Sequence, residues 1–210
     1  MKTNYLIFAA MILCSACCQN DNLGNVMLTP EQKAINPYAE NDSICFIDSQ
    51  GDTCMFRVVT RDTAMYIRTD RAHTSERCTD FCFTENEYTL LNAEGAPFSF
   101  RVYLEQNDPF ASWPVVYATV SFGFTTYSAN YRNFYSHFPD LRVEDIDAYT
   151  LANGMYRDTL HLGASSFFNV YAIPGTCNTP DSLHCDTIFY NKLQGLVGIS
   201  MSDGNWWVRM

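Results

Sequence analysis

The sequence predicts a mainly β chain, an antiparallel β-sandwich with one short helix. Three observations predict it. Apolar residues alternate with polar ones over short runs, turn residues bound those runs at close intervals, and only one segment carries a helical period. Cysteine usage and an apolar leader add that the domain folds outside the cytoplasm.

The chain opens with Lys2, an apolar stretch from Tyr5 to Leu13, and then Ser15, Ala16 and two cysteines. This is the layout of a secretory signal. The stretch is about half the length that a helix needs to cross a bilayer, so it does not read as a permanent span. Residues 1–17 are therefore assigned as a signal peptide. Residues 18–42 are polar, contain Pro30 and Pro37, and show no sustained period, so they read as a flexible tether. A single domain is expected over 43–210.

Within that domain, residues 43–48 and 54–60 flank a hairpin turn at Ser49-Gln50-Gly51-Asp52, and 64–68 follow as a third strand. Phe98, Phe100, Val102 and Leu104 alternate with Ser99, Arg101, Tyr103 and Glu105, the pattern of a strand with one face buried. Val116, Ala118, Val120, Phe122 and Phe124 repeat it. Tyr131, Phe134, Tyr135 and Phe138 recur at helical spacing between Ser128, an N-cap residue, and Pro139, a stop, and predict the one helix. Residues 146–152 and 155–162 flank Asn153-Gly154 and read as a hairpin. Further strands are predicted at 166–173, 187–190, 196–201 and 206–209, the last two joined across Asp203-Gly204. Only one of the adjacent Trp206 and Trp207 can face inward on a strand.

Six cysteines beyond the leader fall into three pairs close in sequence: Cys45 with Cys54, Cys78 with Cys82, and Cys177 with Cys185. In an oxidising compartment they are disulfide candidates, paired by proximity alone. A zinc site from the last four is the alternative, although neither pair has CxxC spacing. No cofactor is indicated, and no resident metal is assigned.

The net charge of −10 argues against nucleic acid as a partner, because a phosphate backbone attracts basic surfaces. The chain contains no GxSxG, HExxH, phosphate-cradling or dinucleotide-binding motif. His73, His137, His161 and His184 are scattered. Asp140, Glu144, Asp145 and Asp147 form an acidic cluster that could supply paired carboxylates for glycoside hydrolysis, the basis of an enzymatic alternative. Otherwise the reading is of a non-catalytic domain that binds a glycan, a peptide or an envelope partner. Its candidate contact groups are Trp113, Tyr127, Tyr131, Tyr135 and one of Trp206 or Trp207. A structural subunit without a small ligand is the third possibility.

The run Leu13-Cys14-Ser15-Ala16-Cys17 resembles the lipobox of exported lipoproteins, with Cys14 in place of the usual leucine. The resemblance implies lipidation of Cys17 and a membrane partner reached through the lipid anchor, at the outer membrane or cell surface. Cleavage at Ala16 by the general signal peptidase would instead release a soluble periplasmic or secreted protein. Asn20-Asp21 is similar to the acidic export tag of lipoproteins from Bacteroidota-type bacteria. The ending from Asp186-Thr187-Ile188-Phe189-Tyr190-Asn191-Lys192 to Asp203-Gly204-Asn205-Trp206 resembles that of many surface lipoproteins of the same group. Asp followed by Ser or Thr and an apolar residue recurs with Ser43, Thr63, Thr159, Ser182 and Thr187, against about one occurrence expected by chance at this composition. The triplet resembles the O-glycosylation acceptor of these bacteria. Turn chemistry preceding a strand would produce the same triplet.

Overall fold

The computed structural model describes residues 22–69, 81–94, 98–106, 118–127, 133–177 and 183–210. Side chains of residues 127, 133 and 134 lie outside that description. In chain order the elements are β1 (Asn22–Val26), α1 (Pro30–Lys33), β2 (Ser43–Asp48), β3 (Thr53–Thr69), β4 (Phe81–Glu94), β5 (Phe98–Gln106), β6 (Ala118–Tyr127) and β7 (Asn133–His137). There follow β8 (Leu141–Arg142), α2 (Ile146–Ala152), β9 (Tyr156–Leu162), β10 (Ser165–Pro174), β11 (Thr176–Cys177), β12 (Cys185–Asn191), β13 (Gly195–Met201) and β14 (Trp206–Arg209).

The expected antiparallel β architecture is present. Its two halves face each other as in a sandwich, yet they belong to one hydrogen-bonded sheet of order β11-β7-β6-β5-β4-β3-β2-β14-β13-β12-β10-β9. Inward residues of β5 and β6, among them Phe100, Leu104, Val120 and Phe122, meet those of β2, β12 and β13, among them Phe46, Ile188, Tyr190 and Ile199. Ring contacts cross the core: Phe122 to Tyr190 at 4.7 Å, Phe100 to Tyr190 at 6.4 Å and Phe98 to Trp207 at 5.9 Å. The sheet closes at one corner. β10 leaves β12 at the Pro174–Thr187 pair, and past Gly175 the chain continues as β11 against β7, pairing Thr176 with His137. A Cβ on Gly175 would lie 2.8 Å from the Phe138 ring and 2.9 Å from the Cys185 carbonyl, so the corner admits only glycine. Across it the Cys185 amide donates to Ser136 Oγ at 3.0 Å.

A second, smaller cluster of Phe167, Val170, Val197 and Val208 lies apart from the main core. The β9–β10 hairpin covers it. A Cβ on Gly198 would meet Leu162 at 2.5 Å, and one on Gly163 would meet the Trp206 ring at 2.9 Å. This burial on both faces explains why β13 is hidden along nearly its whole length.

Residues 22–42 are not a free tether. β1 pairs in parallel with the outer end of β4, Asn25 beside Phe83 and Val26 beside Thr84. Thr29 caps α1 in a reciprocal box with Gln32, and Pro30 takes the first helical position. Leu28, Ile35 and Tyr38 are core residues, exposed by 4%, 2% and 2%. The segment is also held by polar contacts. Glu85 and Glu87 of β4, each 3% exposed, face it. Glu85 accepts from the Leu28 amide at 2.9 Å and from Lys33 Nζ at 2.7 Å. Glu87 accepts from Asn36 Nδ2 at 2.5 Å and Arg61 Nη2 at 3.2 Å. Tyr38 reaches the other half of the sheet, where its hydroxyl accepts from the Leu196 amide at 2.5 Å, while the Tyr190 hydroxyl donates to the Ile35 carbonyl at 2.7 Å. The strap therefore plugs the space between the halves.

Two further expectations are corrected. Asn133–His137 is strand β7, paired with β6, rather than part of a helix. Exposed Tyr135 and His137 alternate there with buried Ser136 and Phe138, so the aromatic spacing that mimicked a helical stripe serves a period of two. Ile146–Ala152, expected as a strand, is helix α2, with Ile146 and Thr150 buried one turn apart. Gly154, at φ +68°, stands just past the helix end instead of in a hairpin turn, and its amide donates to the Leu151 carbonyl. The turns at 49–52 and 203–204 are as expected. Asp48 Oδ1 accepts from the Gln50 and Asp52 amides, both at 2.8 Å, and Asp203 Oδ1 accepts from the Asn205 amide at 2.9 Å.

Candidate ligand-binding face

Strands β3 to β7 turn one face to the core and the other outward. Register sets the outward residues in rows: Leu90, Arg101, Gly123 and His137 in one, Tyr88, Tyr103 and Ser121 in the next. Gly123 leaves room for an unusual neighbour. A Cβ there would lie 3.1 Å from Arg101 Nε and 3.2 Å from Nη2, so the guanidinium lies down across the strand where a side chain would otherwise stand. Arg101 Cζ is 5.9 Å from the centre of the Tyr135 ring, a cation–π arrangement. No carboxylate among the described residues pairs with Arg101. Beside it the Tyr103 hydroxyl accepts from Asn86 Nδ2 at 2.5 Å, which fixes that ring's tip. Tyr135 is 43% exposed, and Tyr88, Arg101 and Tyr103 are half-buried. The result is a half-buried platform of rings and one cation on neighbouring strands.

Of the contact groups expected from the sequence, Tyr135 alone is placed on this platform. Trp113 and Tyr131 lie outside the described residues, as does the side chain of Tyr127 at the end of β6. Trp207 points into the core against Phe98. Trp206 is half-buried over Gly163, so neither indole is an open contact group. The sequence reading passed over Arg101, Tyr103 and Tyr88. The signal for the first two was present, since both occupy the polar phase of the alternation in β5.

The acidic cluster disperses. Ser121 Oγ donates to Asp140 at 2.5 Å, and Arg142 pairs with Asp145 at 3.2 Å. Glu144 Oε1 accepts from Gln32 Nε2 at 2.6 Å and from the Ala118 amide at 3.0 Å. Asp147 accepts from Lys192 Nζ at 2.8 Å and from the Tyr171 hydroxyl. Burial pushes the Asp147 carboxyl up, but the Lys192 ammonium and the Tyr171 hydroxyl outweigh it and hold the group below the ordinary carboxylate range. Each carboxylate thus has a protein partner, and Arg142 stands between two of them, its Nε also 3.8 Å from Glu144 Oε2. A cleft of about 530 Å³ between α1 and the β12–β13 turn is bordered by Ile35, Val143, Glu144 and Leu193, but of the four clustered carboxylates it presents only Glu144. Among the described residues no three His, Cys, Asp or Glu side chains are grouped to hold a metal ion.

The cysteine pairing expected for the first hairpin does not fit its register. Cys54 stands opposite Phe46 and faces the core, whereas Cys45 stands opposite Met55 on the other side of the ribbon. Their thiols diverge, and both are free. Burial pushes the Cys54 thiol up to about 11, with the charges of Cys45 and Asp48 adding to it. The Cys185 thiol is buried and donates to the Thr187 carbonyl at 3.5 Å; burial raises it well above the ordinary thiol range. Cys177 lies on β11 and Cys82 is buried on β4, while Cys78 and the lipidation candidate Cys17 lie outside the described residues.

Among the hydroxyl candidates for glycosylation, Ser43, Thr63 and Thr159 are exposed and Thr187 is half-buried; Ser182 lies outside the described residues. Thr63 and Thr159 stand inside strands β3 and β9 rather than at turns. Turn chemistry does not account for those two triplets. No family model, curated protein or solved structure matches the chain.

Proposed function

We propose that this chain is an extracytoplasmic lipoprotein, acylated at Cys17, whose non-catalytic β domain binds a glycan on the outer face of β4 to β7. The observation that carries the reading is the Arg101 guanidinium laid flat over Gly123 against Tyr135, beside Tyr103 and Tyr88. Sugar rings present flat C–H faces edged by hydroxyls, and a platform of aromatic faces and planar donors on rigid strands complements both. An arginine with no carboxylate partner among the described residues favours an acidic sugar. The carboxylates at 140–147 are all engaged by protein donors, which favours binding over hydrolysis, a reaction that needs two carboxyl groups free to flank one glycosidic bond. The exposed Ser43, Thr63 and Thr159 are offered as O-glycosylation sites.

A glycan array with the mature protein tests the binding reading. Retention of an acidic glycan that falls about tenfold or more in Arg101→Ala and Tyr135→Ala is the expected result, a loss equivalent to about 1.4 kcal/mol. Phe168→Ala, on the far half of the molecule, is expected to bind as the parent does. Binding unchanged in both platform variants, or no glycan retained, removes the proposal. Intact mass of the protein from its native host reports acylation and glycosylation separately.

A further inference from the structure

Three sulfur side chains stand in one row on the outward side of β14, β2 and β3. The β14–β2 ladder pairs Trp207 with Asp48, Val208 with Ile47 and Arg209 with Phe46, and its next step brings the Met210 amide to the Cys45 carbonyl at 3.0 Å. On its other side Cys45 stands opposite Met55 of β3. Residues opposite one another on neighbouring strands project from the same face with Cβ atoms about 4.5 to 5.5 Å apart, so the order across the row is Met210, Cys45, Met55. The first two already touch, for the Cys45 thiol donates to Met210 Sδ at 3.5 Å. Met55 is half-buried like Cys45, and its unbranched side chain, with three rotatable bonds, is long enough to bring its sulfur to the same point.

The surroundings decide what this row suits. On one side the next row holds Val208, Ile47 and Thr53, the first two packed with the apolar cluster of Phe167, Val170 and Val197. On the other stand Ser43, Arg57 and Asn92. Glu94, opposite Met55, would extend the row with a carboxylate, but it is paired with Arg57 Nε at 2.5 Å. The row therefore offers one thiolate donor and two thioethers beside an apolar flank, and Met210, 71% exposed, leaves it open to solvent.

Thiolate with thioether is the donor set that selects Cu(I), whereas structural zinc takes four ligands drawn from Cys, His and carboxylate. Metal–sulfur bonds of roughly 2.3 Å set trigonal ligands about 4 Å apart, so the touching thiol and thioether need open by only about half an ångström to admit an ion. We propose that Cys45, Met55 and Met210 bind one Cu(I) ion through three sulfurs. On binding, the Cys45 S–H bond breaks, its proton passes to solvent and the electron pair left on sulfur forms the bond to copper. Each thioether donates a lone pair, and copper stays monovalent. The site depends neither on acylation at Cys17 nor on the glycan platform.

The test uses the full chain with its thiols reduced, titrated with Cu(I) under ascorbate and without oxygen, against a chromogenic Cu(I) chelator. C45S is expected to hold one ion fewer than the parent. M55L and M210L keep every thiol and are expected to release that ion at chelator concentrations about tenfold or more lower, at least the loss seen when a supporting residue of a metal site is removed. Circular dichroism checks that each variant folds. Met210 is exposed, so M210L reads the site even where C45S fails to fold. Zinc(II) at equal concentration is expected not to displace the ion. Unchanged stoichiometry in C45S overturns the proposal. So does release from M55L and M210L at the parent's chelator concentration, because it reduces the site to a single thiol. Displacement by zinc overturns the assignment to a soft monovalent ion.

Discussion

Glu85 and Glu87 sit on the core-facing side of β4, where alternation would place apolar side chains, and they are tolerated because every charge is answered. Lys33, Arg61, Asn36 and the Leu28 amide converge on the two carboxylates. Such a pair is a poor source of net stability but costly to break, since removing one partner strands the other in a dry site. Glu87→Ala takes one acceptor from each of Arg61 and Asn36, which keep the Tyr38 carbonyl and Thr89 Oγ1, and is expected to lower unfolding stability by about 1 to 3 kcal/mol. The midpoint of urea unfolding measures it. A midpoint within error of the parent would show that water reaches the site and that the carboxylate is not holding the strap.

At the scale of elements, the sequence disclosed strands whose two faces differ and concealed those whose faces do not. β5 and β6 bury one side fully in the core and leave most of the other half-buried, so their alternation is plain. β4 is buried on both faces from Thr84 to Glu87 with polar residues throughout, and nothing in Thr84-Glu85-Asn86-Glu87 announces a central strand. The candidate platform is hidden in the same way. Its β5 members were visible as outward phases, but their grouping with Tyr88 and Tyr135 depends on cross-strand register, which local pattern does not encode. The strap was misread for a related reason: Leu28, Ile35 and Tyr38 are too widely and irregularly spaced to show a period, although each is buried. Its real weight is measurable. A chain beginning at residue 43 loses those three core residues and leaves both β4 carboxylates without the strap's donors, and is expected not to fold. Circular dichroism and amide exchange check this, and a cooperative unfolding transition in that truncated chain would restore the tether.

For the molecule as a whole, the core is rich in groups that must stay protonated. Burial raises Tyr38, Tyr171 and Tyr190 above the ordinary phenol range, with Asp147 adding to the effect at Tyr171, and it raises the thiols of Cys54 and Cys185. A group whose folded value is raised contributes stability that is complete below its unfolded value and is lost as pH climbs toward the folded one. The unfolded values are 9.0 for the thiols and 10.0 for the phenols. The melting temperature is therefore expected to fall from about pH 9 upward, as melting curves taken across that range would show. A melting temperature unchanged between about pH 8 and about pH 11 would show that these groups ionise as readily in the folded chain as in the unfolded one. At the acid end the Lys192-paired Asp147 acts in the opposite sense, contributing above the unfolded carboxylate range and less as pH falls through its lowered value.

The last strand joins the two halves of the sheet. β14 lies between β13 and β2, with Trp207 beside Asp48, and Tyr38 of the strap hydrogen-bonds to Leu196. A chain that emerges N-terminus first thus holds an unpaired β2 edge and an unfilled strap site until β13 and β14 arrive. Contacts so distant in sequence make for slow assembly, because loop closure precedes the reward. Arrival of β14 is in this way a condition of folding: a product cut short before residue 206 leaves the β2 and β13 edges open, exposed to proteases and to neighbouring chains.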